Sequence, residues 1–165
     1  MTMAYLALGS NLGDRLATLR GARAALEAHS NIRVTGASSI YETEAVGGPT
    51  GQDRYFNAVL QVETGLAPRE LLTACHAIEQ HFGRRREVHW GPRTLDIDLL
   101  FFGEASADGP DLMLPHPHLH LRRFVLAPLL ELAPALIHPR LGKSIRELYA
   151  HLNDPAGLRR AEVFW

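Results

Sequence analysis

The apolar positions along the chain change period as it runs. Met3–Leu8 is an unbroken apolar stretch that reads as a buried strand ending at Gly9. Beyond Gly9-Ser10-Asn11-Leu12-Gly13-Asp14, the residues Leu12, Leu16, Leu19 and Leu26 recur at helical spacing to about Ala28. Asn11 is the expected N-cap of that helix, with Asp14 three residues on. Ile32 to about Tyr41 is rich in β-branched and small residues and predicts a second strand. Tyr55 to Glu63 alternates, with Phe56, Ala58, Leu60 and Val62 toward a core and Tyr55, Asn57, Val59 and Gln61 on the other face. Pro68 opens a second helix whose stripe is Leu71, Cys75, Ile78 and Phe82, and Gly83 ends it. From Thr94 the chain alternates again and then runs apolar to Phe102. Glu104 to Asp111 reads as a surface loop. Phe124–Ala133 reads as a short helix, interrupted or restarted at Pro128, and Leu136–His138 as a brief extended piece. Ser144-x-x-Glu147 is a capping box for a last helix bearing Ile145, Leu148 and Leu152, and the tail to Trp165 carries no signal. The order strand, helix, strand, strand, helix, strand is that of a ferredoxin-like βαββαβ sandwich of the α+β class. It predicts an antiparallel sheet with its helices on one face.

Composition narrows the picture. The chain has 165 residues, the size of a single domain 1–165 with a substantial core. Hydrophobic residues make up 46% and charged ones 21%, and the net charge is −1, so nothing global calls for nucleic acid or an acidic membrane. The one cysteine, Cys75, excludes an internal disulfide and fits a reducing compartment; on its apolar stripe it reads as a small core residue. The apolar start is too short for a leader or membrane segment, and the expectation is a cytoplasmic protein.

The chemistry concentrates in Trp90-Gly91-Pro92-Arg93-Thr94-Leu95-Asp96-Ile97-Asp98. On a strand, Leu95, Ile97 and Leu99 share one face and Asp96 and Asp98 the other, with same-face neighbours roughly 6–7 Å apart. A divalent cation relieves the repulsion between two such carboxylates, and hard oxygen donors suit magnesium. A lone Asp-x-Asp equally fits a solvated edge strand. Arg93, a fork for phosphate, and the Trp-Gly-Pro turn favour a site. Arg84-Arg85-Arg86, just upstream, is either a solvated run or a triphosphate contact. The glycine turn after Met3–Leu8 lacks the Lys-Ser/Thr of a P-loop and reads as structural. Gly47-Gly48-Pro49-Thr50-Gly51 is a surface loop. Tyr55 beside Asn57 offers a flat ring and an amide to a heterocycle, or is simply a half-buried tyrosine beside an edge asparagine. His116, His118 and His120, at spacing two, lack the separated pairs usual in structural zinc sites.

Trp90–Asp98 closely resembles the signature of the hydroxymethyl-dihydropterin pyrophosphokinases of folate biosynthesis. Leu8-Gly9-Ser10-Asn11-Leu12-Gly13-Asp14, Tyr41-x-Thr43 followed by Tyr55-x-Asn57-Ala58, and Pro115-His116-Pro117-x-Leu119-x-x-Arg122-x-Phe124-Val125-Leu126 are similar to further motifs of that family. The chain departs from many members at Glu44-Ala45, where prolines are frequent, and near Asp111, where some carry a basic residue. The resemblance implies a magnesium-dependent transfer of pyrophosphate from ATP to the hydroxymethyl group of a dihydropterin, releasing AMP. It implies that Asp96 and Asp98 hold two magnesium ions. It puts Glu79, Arg84, Arg86, Trp90, Arg93, His116 and Arg122 on ATP. Thr43, Val46, Tyr55, Asn57, Trp90 and Phe124 fall on the pterin, and Arg84 and Arg93 join the two aspartates as catalytic residues. His118 and His120 match no family contact and are expected at the surface. The loops Val46–Asp53 and Arg84–His89 are expected to close over the substrates.

Three readings follow: this transferase, acting as a monomer on ATP and a dihydropterin; a non-catalytic ferredoxin-like nucleotide-binding module; or a zinc protein using His116–His120. A regulatory module has no need of paired carboxylates together with stacking groups on two further segments, which favours the transferase.

Overall fold

A computed structural model of the chain describes residues 1–44, 54–83, 94–154 and 157–165. In chain order these form β1 (Thr2–Ser10), α1 (Arg15–Ala28), β2 (Ile32–Ala37), β3 (Tyr41–Thr43), β4 (Tyr55–Thr64), α2 (Pro68–His81) and β5 (Asp96–Phe102). A small hairpin, β6 (Ala107–Asp108) and β7 (Met113–Leu114), follows where the sequence predicts only a loop. A 3-10 turn (Leu119–Leu121), α3 (Arg123–Leu132), α4 (Ile145–Ala150) and β8 (Leu158–Arg160) complete the chain.

The main sheet runs β5-β1-β4-β3-β8, with β2 also paired to β4, and every pairing is antiparallel. The predicted second strand is thus two strands on one partner. Between them Ser38 takes over the ladder, donating its N–H to the Val59 carbonyl while its hydroxyl accepts the Val59 N–H. The tail without a sequence signal is an edge strand: β8 lies along β3, pairing Thr43 with Leu158 and Tyr41 with Arg160.

The alternation of β1 sets the two faces. Ala4, Leu6 and Leu8 meet Leu19, Ala22 and Leu26 of α1 and Leu71 and Cys75 of α2 in one core. Tyr5, with Met3 and Ala7, meets Val125, Leu126 and Leu129 of α3 and Ile145 and Leu148 of α4 in a second. The expectation of helices on one face holds for α1 and α2 alone, because the C-terminal helices cover the opposite face. Val59, predicted to point away from the core, is fully buried in the second core. Phe101 lies there too, its ring edge-on to Tyr5 at 6.3 Å. A register shift between Tyr5 and Leu6 lets Leu100 join Phe101 on this side, while Phe102 returns to the first core.

Three local expectations change. The N-cap of α1 is Asp14, not Asn11: its carboxylate accepts the Ala17 N–H at 3.0 Å, because Gly13 at φ +71° extends the turn and delays the helix. Helix α3 passes through Pro128 unbroken; burial of Val125, Leu126 and Leu129 outweighs the one backbone bond that proline removes. Leu136–His138 forms only an isolated bridge, Ile137 to Ser144. The capping box at Ser144 and Glu147 is present as read, with reciprocal bonds of 3.1 and 3.0 Å.

Phe101→Ala is expected to lower the unfolding free energy by about 3–5 kcal/mol, the range for a buried phenylalanine in a packed core. Denaturant titration measures it. A loss near zero would mean that the α3/α4 face is not a true second core.

Candidate active site

Among the described residues, strand β5 is the end strand of the sheet and pairs with β1. Its alternation sends Ile97 and Leu99 into the first core and Asp96 and Asp98 to the other face. The Ile97 N–H is taken up by Glu79 of α2, whose Oε2 accepts it at 2.8 Å. Glu79 is only 4% exposed, so this carboxylate occupies the helix stripe where the apolar pattern suggests none.

Two cavities meet at this strand. The first, of about 460 Å³, is lined by Thr43, Tyr55, Asn57, Asp96, Asp98, Arg122 and Phe124, together with Gly9 and Asp154. The second, of about 260 Å³, is lined by His76, Glu79, Asp98, Asp111 and His116. Asp98 belongs to both.

In the first cavity, Asn57 is 7% exposed and donates from Nδ2 to the Thr43 hydroxyl at 2.8 Å. That hydroxyl keeps its own proton to donate, so the pair presents a mixed donor and acceptor edge. Gly9 of β1 lies directly opposite Asn57 in the ladder. A Cβ there would stand 3.1 Å from Asn57 Oδ1, close enough to push that amide by a few tenths of an ångström, while the Tyr55 ring at 3.5 Å would be in ordinary contact. In the same cavity, the Arg122 guanidinium sits 5.7 Å over the Phe124 ring. Two aromatic rings and a polar edge make a slot suited to a flat, hydrogen-bonding heterocycle.

In the second cavity, His116 Nδ1 accepts the His118 backbone N–H at 3.2 Å. The neutral ring therefore carries its proton on Nε2, as a donor. Burial first, then the Arg122 and His118 charges, pull its pKa down to about 4. Cys75 lies close by, and burial, Glu79 and Asp98 push its thiol up to about 12, which suits a core residue and not a nucleophile.

The structure thus gathers Thr43, Tyr55, Asn57, Arg122 and Phe124 with Asp96 and Asp98 in one cavity, and Glu79, His116 and Asp98 in the adjoining one. Val46, Arg84, Arg86, Trp90 and Arg93, and the loops 46–53 and 84–89, lie outside the described residues. His118 is exposed, but His120 is half-buried, its ring meeting that of His138 at 6.3 Å. Gly9 and Asp154 belong to the cavity without having been singled out. Gly9 has a signal in the sequence, a glycine ending a strand; Asp154 has none, since an aspartate before proline reads as a turn.

The two β5 carboxylates are hard oxygen donors on one strand face at the junction of the cavities, and they fit magnesium, which is commonly held by one or two carboxylates plus substrate phosphates. Among the described residues no group of three or more His, Cys, Asp or Glu side chains gathers around a point. No helix among them is long and apolar enough to cross a membrane.

A family model described as 7,8-dihydro-6-hydroxymethylpterin-pyrophosphokinase matches residues 5–134. A protein of Methylorubrum extorquens named 2-amino-4-hydroxy-6-hydroxymethyldihydropteridine pyrophosphokinase is 46% identical over 162 residues, 98% of this chain and 100% of its own length. One of the same name from Bacillus subtilis is 48% identical over 130 residues, 79% of this chain and 77% of its own. Among solved structures, a Plasmodium falciparum HPPK-DHPS triple mutant with STZ-DHP superposes with a TM-score of 0.71 at 15% identity. That match covers 90% of this chain but 43% of the other, and it speaks for the fold alone.

The depressed His116 pKa has a sign. The unfolded chain takes up a proton near pH 6.5 and the folded one only near pH 4, so stability is lost as pH falls through that window. An NMR titration of the ligand-free protein is expected to put the His116 midpoint near 4, and added pyrophosphate to raise it by stabilising the imidazolium. A midpoint at 6.5 in both would remove His116 from the buried cavity wall.

Proposed function

The chain belongs to the 7,8-dihydro-6-hydroxymethylpterin-pyrophosphokinase family, and from that premise we infer that it transfers pyrophosphate from ATP to 6-hydroxymethyl-7,8-dihydropterin in folate biosynthesis. One observation carries the reading for this chain: Asp98 is a wall of both cavities, one shaped for a flat heterocycle and the other lined by a histidine donor. A reaction that joins a phosphate to a ring substituent needs such a junction.

The pterin ring fits between Tyr55 and Phe124, with Asn57 and Thr43 reading its edge. Its hydroxymethyl group then lies toward Asp96 and Asp98, and the triphosphate extends into the second cavity, where His116 donates from Nε2. Magnesium held by Asp96 and Asp98, two ions in this reading, supplies charge neutralisation of the phosphates. The hydroxymethyl oxygen bonds to the β-phosphorus, the bond from that phosphorus to the α,β-bridging oxygen breaks, AMP leaves, and the hydroxyl proton is released. Glu79 holds the backbone of Ile97, between the two aspartates, and so fixes the angle at which both carboxylates project. Arg122 brings positive charge to the rim of the first cavity. Arg84, Arg86, Trp90 and Arg93 are assigned to the nucleotide, with Trp90 also against the pterin, on the family resemblance of their motif, and Val46 to the pterin edge on the same ground. A monomer is proposed as the working unit, and the single buried cysteine supports a cytoplasmic setting.

Incubation with ATP, magnesium and the hydroxymethyldihydropterin is expected to yield AMP and the pterin diphosphate in equal amounts. ADP accumulating in step with a pterin monophosphate would overturn the reading. Asp96→Asn and Asp98→Asn keep side-chain size and lose charge. Each is expected to lower kcat/KM by about 100-fold or more with far-UV circular dichroism unchanged. A variant as active as wild type would remove its carboxylate from the metal site.

A further inference from the structure

Helix α3 begins between two residues of the first cavity, Arg122 and Phe124. A helix N-terminus leaves backbone N–H groups without intrahelical acceptors, and here the capping position is Arg122, whose side chain has only donors. The acceptor comes from 31 residues downstream. Asp154 Oδ2 accepts the Arg123 N–H at 3.1 Å, and the Arg123 Nη2 returns a bond to the Asp154 carbonyl at 3.2 Å. Arg123 is held a second time, its guanidinium lying 5.9 Å over the Tyr149 ring next to α4 residue Leu148. Four residues beyond the latch lies the start of β8, which runs along β3 and pairs Leu158 with Thr43. Glu42 of β3 accepts from Arg159 at 2.7 Å and lies 3.5 Å from Arg15 of α1. The C-terminal segment therefore grips both walls of the cavity, the β3 wall through a strand and the α3 wall through one carboxylate.

We propose that Asp154 is a positioning residue for the pterin site, setting the start of α3 and with it the Phe124 ring that faces the heterocycle. The inference rests on the pterin reading of the first cavity. Asp154 lines that cavity itself, yet it lies downstream of residues 5–134, the stretch matched by the family model. Its effect falls on the ring more than on the guanidinium. The long Arg122 side chain can re-reach a partner after a small shift of the helix end, whereas a phenylalanine ring on two rotatable bonds follows the backbone.

The test uses the full chain with Asp154→Ala and Asp154→Asn. Asparagine keeps the acceptor without the charge and caps helices as well as aspartate does. Asp154→Ala is expected to raise KM for the hydroxymethyldihydropterin about tenfold while KM for ATP stays within about twofold. Asp154→Asn is expected to stay within about twofold of wild type for both. In the ligand-free protein, the Arg123 amide proton is expected to shift in the alanine variant and stay in place in the asparagine variant. A pterin KM unchanged by alanine, an asparagine variant as impaired as alanine, or ATP and pterin KM rising together would each overturn the positioning role. A wild-type protein that forms no pterin diphosphate would overturn the function and this inference together; a wild type that turns over normally with a silent Asp154→Ala overturns the inference alone.

Discussion

Everything at the candidate site depends on the period of two in β5. A strand that must bury Ile97 and Leu99 under α2 has no choice but to turn Asp96 and Asp98 the other way. Near the site no described helix covers that other face, although farther along the same strand Phe101 is buried under α3 and α4. The register shift between Tyr5 and Leu6 marks the change. On one side of it the strand is a fully covered core element, and on the other it carries two carboxylates to the junction of two cavities. A slip of one residue would bury both aspartates and expose Ile97, a cost no local rearrangement offsets.

The same strand explains why a charged residue sits in the stripe of α2. Among the described residues β5 is an end strand, so its outer backbone donors face no strand. Glu79 satisfies one of them from the helix, at Ile97, between the two aspartates. Its burial brings negative charge into this corner, where burial first, and then Glu79 and Asp98, oppose ionisation of the Cys75 thiol. His116 responds oppositely: burial and the nearby Arg122 hold it neutral. Paired acids beside a neutral donor histidine form a site that gains from a cation and a polyphosphate arriving together.

Much of this was legible in the sequence, and the reasons are local. Alternation in Tyr55–Glu63 and Thr94–Leu99 fixes which side chains share a face, so Tyr55 with Asn57 and Asp96 with Asp98 follow from period alone. What periodicity misses is whatever a face meets later. Val59 reads as outward because nothing near it in sequence tells that α3 will cover it. His120 reads as surface because its partner, His138, lies 18 residues on, across the turn into α4. Asn11 reads as a cap because it precedes a helical pattern, but a left-handed Gly13 moves the helix start to the residue after Asp14. Strand β8 is three residues of ordinary composition whose only reason to be a strand is the free edge of β3.

That last case bears on how the site is held. The βαββαβ frame, together with β1 glycine Gly9, determines one side of the first cavity through short-range rules of strand pairing. The opposite side stands on α3, whose Val125 and Leu126 pack on the frame beside Tyr5 and Val59, but whose Arg123 N–H finds its acceptor in Asp154 of the C-terminal segment. The ring Phe124 and the guanidinium of Arg122 are therefore specified twice, by a motif that names them and by a distant segment that aims them. A motif of this kind states which groups are present. Their spacing across a cavity of about 460 Å³ is decided by tertiary contacts more than thirty residues away, because a helix end with an unsatisfied N–H moves to wherever an acceptor is offered.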